Sequence, residues 1–156
     1  MKLVQIFREI LSEQMVLYHG TSKEQSDNIR KSGFGIGTGM SSESNSNIVF
    51  LSTKTGAKYF AKNNSRISNP DIISVKVDGN FFQVDKPTSD FGAFAKIHDE
   101  FKIPFVGNPE DRIIDEDAIK IALKKNGYVG VQFRDKNANN VPVWAVFDKK
   151  SIEVIN

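Results

Sequence analysis

Two imidazoles, His19 and His98, and no cysteine make up the soft-ligand inventory of this 156-residue chain. That inventory excludes disulfides, zinc–thiolate sites and a cysteine nucleophile together, and leaves any metal to rest mainly on carboxylates. No metal centre is expected. His19 stands in Tyr18-His19-Gly20-Thr21, where an imidazole that can donate or accept a hydrogen bond precedes a glycine. A buried histidine satisfied by backbone is the plainer reading of the same residue. Lys54, Lys58, Lys62 and Arg66 recur every fourth residue and make a basic helical stripe. Such a stripe suits a pyrophosphate or an RNA backbone, and it equally describes a solvated face.

The elements that must position these groups follow from local patterning. Residues 16–19 read as a short strand stopped by Gly20, and Ser22 with Gln25 three residues later forms a capping box for a helix through Lys31. His19 therefore ends a strand and faces a strand-to-helix turn. The glycines from Gly33 to Gly39 and the Ser/Asn cluster at 41–47 read as a flexible loop. Residues 48–52 form a buried-type strand, Thr53 or Thr55 can cap a helix to about Asn63, and residues 72–77 form a further strand. A hairpin-like stretch is expected over 79–85, then short helix and loop packing over 89–109 around Phe91, Phe94, Ile97, Phe101 and Phe105. Residues 115–126 describe a helix with acids in its first turn and Ile119, Ala122 and Leu123 on one face. Two strands, 128–133 and 141–147, are joined by a hairpin loop, Pro142 belongs at the start or edge of its strand, and residues 152–155 close the fold.

Composition limits the remaining possibilities. With 39% apolar and 26% charged residues the chain reads as soluble and globular, and no apolar run approaches the roughly 20 residues of a membrane span. Residues 1–9 mix charge into their apolar positions and offer no cleavage site, so a cytoplasmic location, in the producing cell or a host, is expected. Leu3, Ile6, Phe7, Ile10 and Leu11 fall at helical spacing. The domain plan is thus an amphipathic helix over 1–14, docked on the core or free for a partner, and one domain over 15–156. A net charge of +2 is too balanced to imply nucleic-acid binding by itself.

Three separated segments then point to a family. Leu17-Tyr18-His19-Gly20-Thr21-Ser22, Val49-Phe50-Leu51-Ser52-Thr53 with Ala57-Lys58-Tyr59, and Gly127-Tyr128-Val129-Gly130-Val131 through Val146-Phe147-Asp148 occur in an order that resembles the diphtheria-toxin and poly(ADP-ribose) polymerase branch of the ADP-ribosyltransferases. The resemblance implies an α+β fold of split mixed β-sheets with flanking helices, and NAD as substrate. It assigns His19 to the adenosine ribose and the Gly20 backbone to the nicotinamide carboxamide. Phe50 and Tyr59 match the two stacking positions, where aromatic faces hold a flat cationic ring by stacking and cation–π attraction. Gly56 falls where some relatives carry a carboxamide-binding serine, so Ser52 and Thr53 are candidate substitutes for that contact, with strand-end capping as their plainer reading, and Thr21 is a further expected cofactor-binding residue. His19 and Tyr59 are the residues expected to act in catalysis.

One departure stands out. The family's glutamate, which orients the ribose and stabilises positive charge as the glycosidic bond breaks, falls on Val143. Loss of such a contact costs about 3–4 kcal/mol of barrier. Asp135, Asp148 and Glu43 are conceivable replacements, each with a solvated or capping role as its plainer reading. The functional expectation is transfer of ADP-ribose from NAD to a macromolecular acceptor, a protein rather than a nucleic acid, with no membrane partner. Two alternatives remain open: an impaired NAD-binding module, and an NAD-using RNA 2'-phosphotransferase.

Overall fold

The computed structural model describes residues 14–35, 47–108 and 110–155. The helix expected at the amino terminus, most of the glycine-rich loop and Glu43 lie outside them. The chain runs β1 (Met15–Ser22), α1 (Lys23–Ser32), β2 (Val49–Ser52), α2 (Lys54–Asn63), β3 (Pro70–Val77), β4 (Asn80–Gln83), α3 (Asp90–Glu100), α4 (Glu116–Lys125), β5 (Tyr128–Asp135), β6 (Val141–Val146) and β7 (Ile152–Val154). No described helix is long and apolar enough to cross a membrane.

Each helix starts where a side chain caps it. Ser22, Thr53, Ser89 and Asp115 accept from the backbone N–H three residues on, at Gln25, Gly56, Gly92 and Ala118 respectively. These bonds satisfy donors that the first turn cannot pair internally. The acids of α4's first turn and the lysines of its last complement the helix dipole, while Ile119 and Leu123 are buried on one face.

The seven strands form one mixed sheet in the order β4-β5-β6-β2-β1-β3-β7, with only the β4–β5 pair parallel. The two sheets anticipated from the resemblance are thus hydrogen-bonded into one. Its weakest join is β1–β2, which keeps a single registered pair, Tyr18 with Ser52, whereas β1 and β3 pair along their full length. Alternation sorts the core into two layers. Val143 and Ala145 of β6, with Phe50 of β2, belong to a cluster under α3 and α4 around Phe94, Ile97, Ile119, Leu123 and Phe133. Trp144 and Val146, with Val49 and Leu51, belong to a second cluster with Ile29, Ile73 and Val75.

Two local expectations are corrected. Gly20 does not stop β1, which continues through Thr21 to Ser22 because its partner β3 extends to Pro70. A Cβ at Gly20 would lie 2.2 Å from the carbonyl oxygen of Ala57, so the glycine is where α2 presses onto the strand. Residues 79–85 make no hairpin: β3 already has β1 and β7 as neighbours, and Gly79, at φ 135°, turns the chain away so that β4 joins β5 in parallel. Residues 89–108 follow the expectation of short helix and loop packing, with Phe94 and Ile97 of α3 buried and no helix over 101–108. Pro142 is the second residue of β6 and lies beyond the last β2 pair, Ser52 with Val143, where a missing N–H disrupts no ladder to β2.

Candidate functional site

A cleft of about 500 Å³ opens between α2, the amino end of α3 and the β5–β6 end of the sheet. Its apolar walls come from three elements. Phe50 projects from β2, Phe133 and Val143 face each other across the β5–β6 pair, and Tyr59 with Phe60 comes from α2. The Phe50 ring also lies 6.3 Å from that of Phe94, and the rings of Tyr59 and Phe60 meet edge to face at 5.9 Å, which fixes both walls against the core. Asn63 and Asn64 at the end of α2 and Asn137 in the β5–β6 turn add amide donors and acceptors.

The charge in this cleft is negative. Asp135, the last residue of β5, and Asp90, the first of α3, both line it, and among the described residues no lysine or arginine does. Burial pushes the Asp135 carboxyl above its ordinary value; the Asn137 N–H, donating at 2.9 Å, pulls the other way, and the nearby charge of Asp90 adds to the rise. Thr88 is bridged to Asp135 in parallel fashion, which brings α3's first turn to the end of β5. Left-handed backbone at Asn139 and Asn140 closes the turn beyond, a conformation asparagine tolerates.

No protein-family model, curated protein or solved structure matches this chain. The chemistry of the cleft therefore carries the functional reading.

Of the residues singled out from sequence, Phe50, Tyr59 and Val143 meet in the cleft, with Val143 only 2% exposed. Asp135 joins them. His19 does not: it is 0% exposed and packs edge to face on Phe34, a member of the second cluster, at 5.2 Å. Its imidazole meets the Phe50 backbone, with Nδ1 2.9 Å from the Phe50 carbonyl oxygen. Thr21, also nearly buried, pairs with Asp71 on β3. Ser52 is buried and donates its hydroxyl proton to the Pro142 carbonyl oxygen at 2.6 Å, so this arrangement commits its proton to the fold. Thr53 caps α2. Asp148 accepts from the Lys150 N–H in a turn outside the cleft.

The second imidazole is structural. His98 is 1% exposed, its Nδ1 donates to the Ile103 carbonyl at 3.0 Å, and its Nε2 accepts the Asp115 N–H at 3.1 Å. Those roles fix one neutral tautomer and tie α3 to the start of α4. Lys54, Lys58 and Lys62 lie exposed along α2 and stay outside the cleft. Sequence reasoning did not single out Asp90, Phe60 or Phe133 as cleft residues: a first-turn acid and two apolar-run aromatics carry no local mark of a cavity. Among the described residues no group of His, Asp and Glu is placed to hold a metal.

Proposed function

We propose that the chain binds NAD with its nicotinamide ring in the Phe50–Tyr59 cleft and transfers the ADP-ribosyl group to a macromolecular acceptor, a protein rather than a nucleic acid. The observation behind this reading is the convergence of Phe50 and Tyr59 with position 143, which is more than 80 residues away in sequence, on one cavity of ligand size. It is the arrangement that the resemblance to ADP-ribosyltransferases implies for the ring end of the dinucleotide. In the reaction the bond from ribose C1' to the ring nitrogen breaks, its electron pair leaves with neutral nicotinamide, and an acceptor nucleophile bonds to C1' and releases its proton to solvent. Aromatic walls hold the ring through this change, and a carboxylate in a partly dry cleft stabilises the positive charge that develops on the ribose.

A second reading, an NAD-binding module without turnover, is favoured by the apolar side chain at position 143 and by the burial of His19. One experiment separates the two: calorimetric titration with NAD beside mass-spectrometric measurement of released nicotinamide, with Tyr59→Ala as control. Transfer predicts binding and acceptor-dependent release, both weakened in Tyr59→Ala. Binding without release supports the module, and no binding sinks both.

A further inference from the structure

Asp135 stands one side-chain step along the sheet from the apolar position 143. Phe133 pairs with Val143 and Asp135 with Val141, so Phe133, Asp135, Val141 and Val143 form one patch of two adjacent strands. Alternation puts Phe133 and Asp135 on the same face of β5, and both line the cleft. Diagonal neighbours on such a face lie about 7–8 Å apart, a span that one bound ring can bridge. A carboxylate thus reaches from β5 the space where β6 offers only methyl groups.

That carboxylate is held in place. Its Oδ1 accepts the Asn137 N–H at 2.9 Å, while its carbonyl oxygen accepts from the Ala138 and Asn140 N–H groups at 3.1 and 2.9 Å. Asp90 enters the same space from α3, its Oδ1 accepting the Phe91 N–H at 2.8 Å. Two carboxylates, aromatic walls and no lining cation among the described residues repel an anion, and they favour a flat ring bearing positive charge.

We propose that the cleft selects a flat heteroaromatic cation of the N-alkylpyridinium class, with Asp135 as the specificity-determining anion that position 143 does not supply. The inference deepens the reading above and uses the same cleft, yet it requires neither the rest of a dinucleotide nor turnover. A neutral ring of the same shape gains stacking alone. A cation gains stacking, attraction to the ring faces and a charge partner for a half-buried carboxylate. Because no cation among the described residues lines the cleft, the pyrophosphate of a dinucleotide would lie beyond its mouth.

The test titrates the full chain with the 1-methylnicotinamide cation and with neutral nicotinamide, followed by shifts of the Tyr59 ring resonances. The cation is expected to bind about tenfold or more tightly than the neutral ring, because it adds a charge contact and a cation–π contact to equal stacking. Asp135→Asn keeps an oxygen for the Asn137 N–H and should abolish most of that preference at an unchanged folded spectrum. Asp135→Glu should retain part of it, and Asp148→Asn, a carboxylate outside the cleft, all of it. Equal affinities, binding of neither ring, or a preference that survives Asp135→Asn overturns the proposal. A chain that selects the cation but releases no nicotinamide from NAD sinks the transfer reading alone; turnover of NAD with no selection between the rings sinks this one alone.

Discussion

The Nδ1 atom of His19 lies 2.9 Å from the carbonyl oxygen of Phe50, across the seam where β1 and β2 keep one registered pair. A carbonyl oxygen can only accept, so Nδ1 carries the proton and donates. The imidazole supplies a cross-strand bond at the sheet's narrowest join, and the strand it holds is the one that presents Phe50 to the cleft.

Replacing His19 by alanine should therefore destabilise the fold by about 1–3 kcal/mol, the range for leaving a buried partner without its bond. It should also weaken ring binding in a cleft that His19 does not line. Urea denaturation measures the first effect and titration with a pyridinium cation the second. An unchanged denaturation midpoint would contradict the clamp.

Gly56 is set by its neighbour. A Cβ there would lie 2.0 Å from Ser52 Oγ and 3.0 Å from Ser52 Cβ. Gly56→Ala should cost about 1–3 kcal/mol as an overpacking change. Ser52→Ala, which forfeits the bond to the Pro142 carbonyl, should cost about 1 kcal/mol alone yet recover part of the loss in the double variant. Thermal melts of the four proteins give the coupling, and simple additivity would show that the two side chains do not compete for this space.

Asp71 joins α1 to β3. It accepts from Ser26 Oγ at 2.5 Å and from the Arg30 guanidinium at 3.1 Å. Burial pushes its carboxyl up, but the hydrogen bonds from Ser26, the Ile72 backbone and Arg30 outweigh that and hold it below its ordinary value of 3.8. A depressed folded value means that the folded state holds fewer protons, so this stability is present above pH 3.8 and lost as pH falls through the depressed value. Asp71→Asn should lower the melting midpoint at neutral pH, with a penalty that shrinks once the pH drops below 3.8. A penalty independent of pH would rule out the ionised carboxylate as its source.

For Asp135 the sign reverses. Its folded value lies above 3.8, so the folded state holds more protons in that window and ionisation opposes folding. Stability is lost as pH rises from 3.8 through the raised value. Asp135→Asn should raise the melting midpoint at neutral pH, and the gain should vanish below pH 3.8. A residue whose removal stabilises the fold while abolishing cation selection would mark the carboxylate as kept for binding. Melts that show a loss at neutral pH would defeat this assignment.

Short-range rules made much of this molecule readable in advance. The cap at Ser22, one of two threonines before α2, and the acid-to-lysine order of α4 depend on bonds between residues a few positions apart, so adjacent letters contain them. Phe50 and Tyr59 could be named singly through a resemblance of segments. Tertiary structure alone decided what those residues face. Parallel pairing of β4 with β5, the turning of His19 into the second cluster, and the meeting of Asp90 with Asp135 all depend on strand order and register, which arise from contacts between residues tens of positions apart. Local propensity cannot encode such pairings, because the energy that selects them comes from burying two whole faces of a sheet at once.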